Sequence, residues 1–272
     1  MARPDVRFGA AALAWLHALC ANAAPEVVLA PDLSVEGTAL VLKLPHGQEL
    51  RGAKMQGAAV HLALEDGPIT SIKLRSIVPD PEEPAILRHQ FDVQNEKGQW
   101  ISACVPTAAG ETWGFPLALP EGHPGREGPI TLTCTSGAVG KCVRFGYKPW
   151  ANGPGGESLL AYHAACVRMV RADYCGDGAG HTKDGTIIDF YDRLGIEKSD
   201  SGNDPEFAFE AGWAPGGAAC VARTRWADLA TLEQLAARCP ELPRGPQCTG
   251  AAARKADALL FNRSRLAPRI GE

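Results

Sequence analysis

Eight of the nine cysteines in this 272-residue chain, Cys104, Cys134, Cys142, Cys166, Cys175, Cys220, Cys239 and Cys248, lie beyond residue 100. An even set of that kind in an exported chain reads as a framework of four disulfides whose connectivity the spacing does not fix. A zinc site is the poorer reading, since Cys-x-x-Cys and His-Glu-x-x-His are both absent and a structural zinc site needs closely spaced ligands. Two of the cysteines carry a sharper constraint. Cys166 and Cys175 fall on a helical run that begins at Ser158, and on one helix they would stand about 13 Å apart along the axis and face roughly opposite ways. A disulfide needs Cα atoms within about 7 Å. Each must therefore find a partner outside the segment, expected from Cys104, Cys134, Cys142 and Cys220, with Cys239 and Cys248 left to close a local loop.

Export is read from the start of the chain. Arg3 and Arg7 precede an apolar run from Phe8 to Leu19, and Ala21-Asn22-Ala23 supplies small residues where a signal peptidase reads them. Residues 1–23 are expected to be a signal peptide, with the mature protein secreted or periplasmic. Lipidation at Cys20 is disfavoured because Leu19 and His17 occupy positions where a lipobox has a small and an aliphatic residue. No later run approaches the ~18 apolar residues of a transmembrane helix. Removing Arg3, Arg7 and Asp5 with the leader moves the formal charge from −4 to −5. A mildly acidic chain without a basic stripe or interleaved aromatics argues against a nucleic-acid partner, and leaves an envelope or extracellular ligand as the open partner class.

The run from Ser158 that carries both cysteines has apolar residues at Leu159, Tyr162, Cys166 and Val170, widened by His163 and Val167, the spacing of an amphipathic helix. Ser158 is the expected cap and Gly176 the expected left-handed residue closing the last turn. Arg168 and Arg171 suit the negative end of the helix dipole.

The string Cys166-Val-Arg-Met-Val-Arg-Ala-Asp-Tyr-Cys-Gly-Asp-Gly, followed by His181-Thr-Lys-Asp-Gly-Thr-Ile-Ile-Asp-Phe-Tyr-Asp, resembles the bacterial ADYC-domain family, named for its four-residue signature. Thr135-Ser-Gly-Ala-Val-Gly-Lys-Cys142, Gly146-Tyr147 and Pro149-Trp150 look like the same family's upstream block. The resemblance covers roughly residues 100–264 and implies a domain type without implying an activity or a cofactor.

From Pro31 to about Pro120 the hydrophobic period changes to two. Val60, Leu62 and Leu64, then Ile72 and Leu74, alternate with small or polar residues, and Asp66-Gly67 between them is a hairpin signal. Further runs at Phe91 to Val93, Trp100 to Val105 and Thr112 to Leu117 complete an antiparallel β unit, a small barrel or sandwich. A Gly- and Pro-containing connector follows, so the expected organisation is a β-rich unit over 24–120 and a disulfide-rich α+β region over 121–272, with a bridge expected to cross the join. Within the second region, Ile130 to Cys134 reads as a strand. Phe207 to Trp213 and Cys220 to Trp226 read as a hairpin. A helix opens at Asp228 and runs through Leu229, Leu232 and Leu235 to Cys239-Pro240, and Ala251 to Leu266 reads as a last helix. Asp189 to Leu194 fits helix or strand equally, and Asn262-Arg-Ser264 matches a glycosylation acceptor in form.

Polar chemistry concentrates after the signature. His181 with Asp173, Tyr174, Asp177, Asp184, Asp189 and Asp192 provides candidates for a general base, an orienting carboxylate and a proton donor. Asp and Gly also build tight turns, because Asp hydrogen-bonds its own backbone and Gly accepts positive φ. Asp173, at a helix end where the dipole disfavours negative charge, needs a compensating group such as Arg171 or Lys183. Calcium-loop spacing, Gly-x-Ser-x-Gly and a dinucleotide fingerprint are all missing, and no cofactor or metal is indicated. Two classes stay open, a non-catalytic exported binding or envelope module, which is favoured, and a secreted hydrolase-like enzyme working through His181 and nearby carboxylates. Facing of His181 and an Asp in a concave pocket separates them.

Overall fold

The computed structural model describes residues 14–17, 28–30, 32–63, 69–107, 109–127 and 130–267. The chain divides into two compact units, one of Met1–Pro120 with Arg126–Ser136, the other of Glu121–Gly125 with Gly137–Glu272. Apart from the strand Ala14–His17, the expected signal peptide lies outside the described residues, as do its cleavage site, Cys20 and the Asp66-Gly67 turn.

In the first unit an antiparallel sheet runs in the order Thr131–Cys134, Gly114–Leu117, Leu87–Gln94, Ile69–Pro79, Ala59–Ala63, Ala14–His17, Val28–Ala30, with Trp100–Ser102 also paired to Leu87–Gln94. A separate three-stranded sheet is built from Asp32–Glu36, Ala39–Lys43 and Glu49–Arg51. Leu40 and Leu42 from the small sheet share one core with Val60, Ile72, Leu74, Ile77 and Phe91 from the large one. The arrangement is a pair of packed sheets, and among the described residues no barrel closes. Inward parity follows the expected alternation at Ile72 and Leu74, then passes to Ile77 because the register slips between Leu74 and Ser76. Cys104 bonds Cys134 inside this unit.

The second unit is α+β. Its antiparallel sheet runs Ile188–Asp192, Leu260–Arg265, Phe207–Ala214, Gly217–Val221, so Asp189 to Leu194 resolves as a strand. Four helices accompany it: α1 Ala138–Arg144, α2 Leu160–Arg171, α3 Leu232–Arg238 and α4 Gly250–Lys255. Helix α2 is the central one. Its Tyr162, Cys166, Val167 and Met169 enter one core with Ala211, Trp213, Val221 and Leu260 of the sheet, and His163, Ala164 and Ala165 are buried as well. Burial thus extends well beyond the expected stripe, the mark of an interior helix.

Several expectations change in detail. The left-handed residue ending α2 is Ala172 (φ 52), while Gly176 (φ 71) closes the following turn. Ser158 accepts from the Leu160 N–H at 3.3 Å from two positions before the first helical residue, and the cap position itself is held by Leu159. Helix α3 begins at Leu232, with a reciprocal capping box between Thr231 and Gln234 replacing the expected start at Asp228. The last helix is only the short α4. Asp257 (φ 58) breaks it, and Leu260–Arg265 becomes an inner strand whose Leu260, Phe261, Asn262 and Ser264 are buried. Tertiary pairing on both edges overrides the helical spacing there. Asn262 takes the Trp213 indole N–H at 2.8 Å and is fully buried, so its sequon is structural.

Cys166 and Cys175 do bond outward, to Cys142 and Cys239 respectively, and Cys220 bonds Cys248. Cys239 and Cys248 do not pair, because Cys239 is taken by the end of α2 and Cys248 by the strand holding Cys220. Cys104–Cys134 spans the expected join after residue 120, and because Arg126–Ser136 groups with the first unit, every bridge closes inside one compact unit.

Candidate functional site

The end of α2 is where polar groups gather, and their positions follow from the need to satisfy a buried helix terminus. The last carbonyls of a helix have no partner within it. Arg225, on the chain leaving the strand Gly217–Val221, supplies them: one terminal nitrogen donates to Met169 O at 2.8 Å and the other to Val170 O at 3.1 Å. Its remaining donors reach Thr182 Oγ1 at 3.1 Å and both Glu210 oxygens at 3.1 and 3.0 Å. All five guanidinium N–H groups are thereby used. Glu210 and Arg225 are both buried, and the two charges compensate each other where neither could stand alone. Burial works against the Arg225 charge, and the Glu210 carboxylate more than restores it, holding its pKa above the ordinary value.

Each residue of the signature has a place in this arrangement. Ala172 makes the left-handed turn. Asp173, fully buried, accepts from the Arg168 guanidinium and from the Gly178 N–H at 3.0 Å, so Arg168 rather than Arg171 or Lys183 offsets its charge. Arg171 instead donates to Gly178 O, and Lys183 pairs with Asp228 at 2.7 Å. The Tyr174 hydroxyl donates to Glu210 at 3.1 Å and accepts the Arg225 backbone N–H at 2.8 Å. Its ring stacks on Trp213 with centroids 5.3 Å apart, and burial followed by the Glu210 charge pushes its pKa well up. Cys175 bonds Cys239.

The remaining candidates separate. His181, nearly buried, has Nδ1 3.0 Å from Ala172 O and stacks on Tyr174 at 5.8 Å. Asp177 accepts the Ala179 N–H and pairs with Arg238. Asp184 is exposed. Asp189 accepts from Ser199 Oγ at 2.5 Å, from Ser201 Oγ and from the Asp200 N–H at 2.9 Å; burial raises its pKa, and these hydrogen bonds more than reverse that. Asp192 accepts four backbone N–H groups, from Leu194 to Glu197, and the Tyr147 hydroxyl at 2.8 Å. His181 and Asp173 each bond elsewhere. A cavity of about 280 Å³ is lined by Pro205, Glu206, Arg265, Leu266 and Ala267, none of them a candidate. Among the described residues, no three or more His, Cys, Asp or Glu side chains gather as a metal site.

Sequence reasoning did not single out Glu210 or Arg225, which have no local signature and meet only through the fold. A second buried polar pair, His123 and His163, lies on another face of α2, with His123 Nε2 and His163 Nδ1 3.0 Å apart. His163 stood out from the sequence only as a residue of the apolar stripe. A fold stapled by three bridges about one interior helix, with its helix end capped by a buried ion pair, defines a disulfide-stabilised α+β domain. The chain belongs to the ADYC domain family, whose model matches residues 47–227, beginning earlier and ending earlier than the resemblance read from the motifs. No curated protein and no solved structure is significantly similar to it.

Proposed function

We propose that this is an exported, non-catalytic ADYC-domain module that binds a ligand at the cell envelope or outside the cell, and that its signature is a structural device. The observation that carries this reading is how the signature's reactive atoms are used. Asp173 Oδ2, the Tyr174 hydroxyl and Cys175 Sγ are each bound to groups that hold the end of α2. Asp177 and Asp192 cap turns, the use to which Asp is suited at such positions, and Asp189 ties its strand to the loop at 199–201. Four disulfides fit an oxidising compartment, and no helix among the described residues is long and apolar enough to cross a membrane. Cleavage after Ala23 is the matching processing event, and mature protein starting at Ala24 is expected from N-terminal sequencing of exported material.

The test against the enzyme alternative is hydrolysis. Purified, fully oxidised protein is assayed on ester, peptide and glycoside panels beside His181→Ala, with near-UV circular dichroism confirming an intact fold. No turnover attributable to the protein is expected. Turnover that disappears in a folded His181→Ala variant would establish the hydrolase reading instead.

A further inference from the structure

The His123–His163 pair has a hydrogen-bond order that admits one protonation state. The Gly125 N–H can only donate, and it points at His123 Nδ1 at 3.0 Å, so that nitrogen accepts and the His123 proton sits on Nε2. That Nε2–H donates to His163 Nδ1 at 3.0 Å, so the His163 proton sits on its own Nε2, 3.1 Å from Val139 O of α1, which accepts it. Every ring nitrogen is satisfied with both imidazoles neutral. A proton added to either ring sets two donors face to face, at Gly125 in one case and between the rings in the other. Among the described residues, Arg168 is the charged side chain that acts on His123, its own charge facing Asp173, and the group facing His163 from α1 is a carbonyl.

We propose that Glu121–Gly125 is an acid-released strap on α2, held by the His123–His163 pair and let go when either imidazole takes up a proton. The strap is a short excursion of the chain. It groups with the second unit, while the segments before and after it, ending at Pro120 and starting at Arg126, group with the first. Three residues along α2 from His163, Cys166 bonds Cys142 of α1. That covalent link does not titrate, so α1 stays on α2 at any pH and the strap is the part able to leave.

The direction follows from the two states. Burial first, then Arg168, lowers the His123 pKa from 6.5 to about 4 in the closed form, and burial, then His123, lowers that of His163 to about 3. An opened strap exposes the His123 imidazole, which then titrates at the ordinary value. Closure is therefore at full strength above pH 6.5 and weakens as the pH falls toward 4. The His123 shift from 6.5 to about 4 alone corresponds to an opening equilibrium about 300-fold larger at the acid end.

Hydrogen exchange of the full oxidised chain between pH 7 and pH 4, corrected for intrinsic rates, tests this. The expected result is loss of protection at the Gly125 amide, which the His123 ring holds, approaching that factor, while the amides of α2 remain protected. Simultaneous loss in the strap and α2 would reveal acid unfolding of the whole unit and overturn the proposal, as would a strap still protected at pH 4. In His123→Phe the strap should exchange at pH 7 as the wild type does at pH 4, and the wild-type pH profile persisting in that variant would also refute it.

Discussion

Replacing Arg225 by Met should be among the most damaging single changes in the second unit. The methionine fills similar space and donates nothing. Glu210 would keep only the Tyr174 hydroxyl, and two carbonyls at the end of α2 would lose their donors. Leaving one partner of a buried ion pair behind costs about 3–5 kcal/mol. Orphaning buried helix carbonyls drives the loss toward the upper figure, since each unmet group costs about 1–3 kcal/mol. Whole domains have only about 5–15 kcal/mol of stability, so the variant should be folded but marginal. Glu210→Leu should cost a similar amount by leaving the guanidinium charge uncompensated. The double variant removes both charges at once and should fall short of the summed single losses by at least ~2 kcal/mol, the coupling expected of residues in one network. Native-state hydrogen exchange of the α2 amides reads this within the second unit, whereas a global melt of a two-unit chain would mix transitions. Single losses under about 1 kcal/mol that simply add would refute the idea that this pair closes the helix end.

Three further outcomes are expected. Removing the Cys175–Cys239 bridge, which spans 64 residues, should lower the chemical unfolding midpoint more than removing Cys142–Cys166, which spans 24, since loop entropy assigns them about 4 and about 3.5 kcal/mol. Gly176→Ala should destabilise severely, because the φ is +71 and an added Cβ would meet Gly216 O at 1.6 Å; a melting point close to wild type would contradict the packing described. Burial, then Asp192 and Glu210 respectively, raises the Tyr147 and Tyr174 pKa values in the folded state above the ordinary 10.0. The stability these phenols contribute is therefore complete below pH 10 and declines as the pH rises past it, and Tyr147→Phe should flatten that decline in pH-dependent denaturation.

The amount of this architecture legible in the sequence depends on how local its causes are. Helix α2 and the alternation at Ile72 and Leu74 are set by spacing along the chain, and both are present. Cys166 and Cys175 do bond outward as expected, although α2 ends at Arg171 and Cys175 lies beyond the left-handed Ala172, so the continuous helix assumed for that expectation is not the reason. Helix α1 escaped notice although Val139, Cys142 and Val143 carry the i, i+3, i+4 spacing that marks it. The final strand failed for the opposite reason: Leu260 to Arg265 is a strand because Ile188–Asp192 and Phe207–Ala214 lie on either side of it, which no local pattern records. Asp173 was legible as a charge needing compensation, but Arg168 as its partner required the chain to turn back through the left-handed Ala172. Glu210 and Arg225 lie 15 residues apart on adjoining segments and become one site only after folding.

The two bridges at the end of the chain interlace in sequence, Cys175 with Cys239 and Cys220 with Cys248, whereas the two before them join neighbouring cysteines. Wherever this chain enters an oxidising space amino end first, joining thiols in order of arrival would produce Cys104–Cys134 and Cys142–Cys166 correctly and then trap Cys175 with Cys220. Reaching the native pattern requires those two to wait or to be reshuffled through a mixed disulfide. Where those two thiols are oxidised before they can wait, an oxidant alone would leave the Cys175–Cys220 isomer, and a thiol–disulfide isomerase is what would convert it to the native pattern.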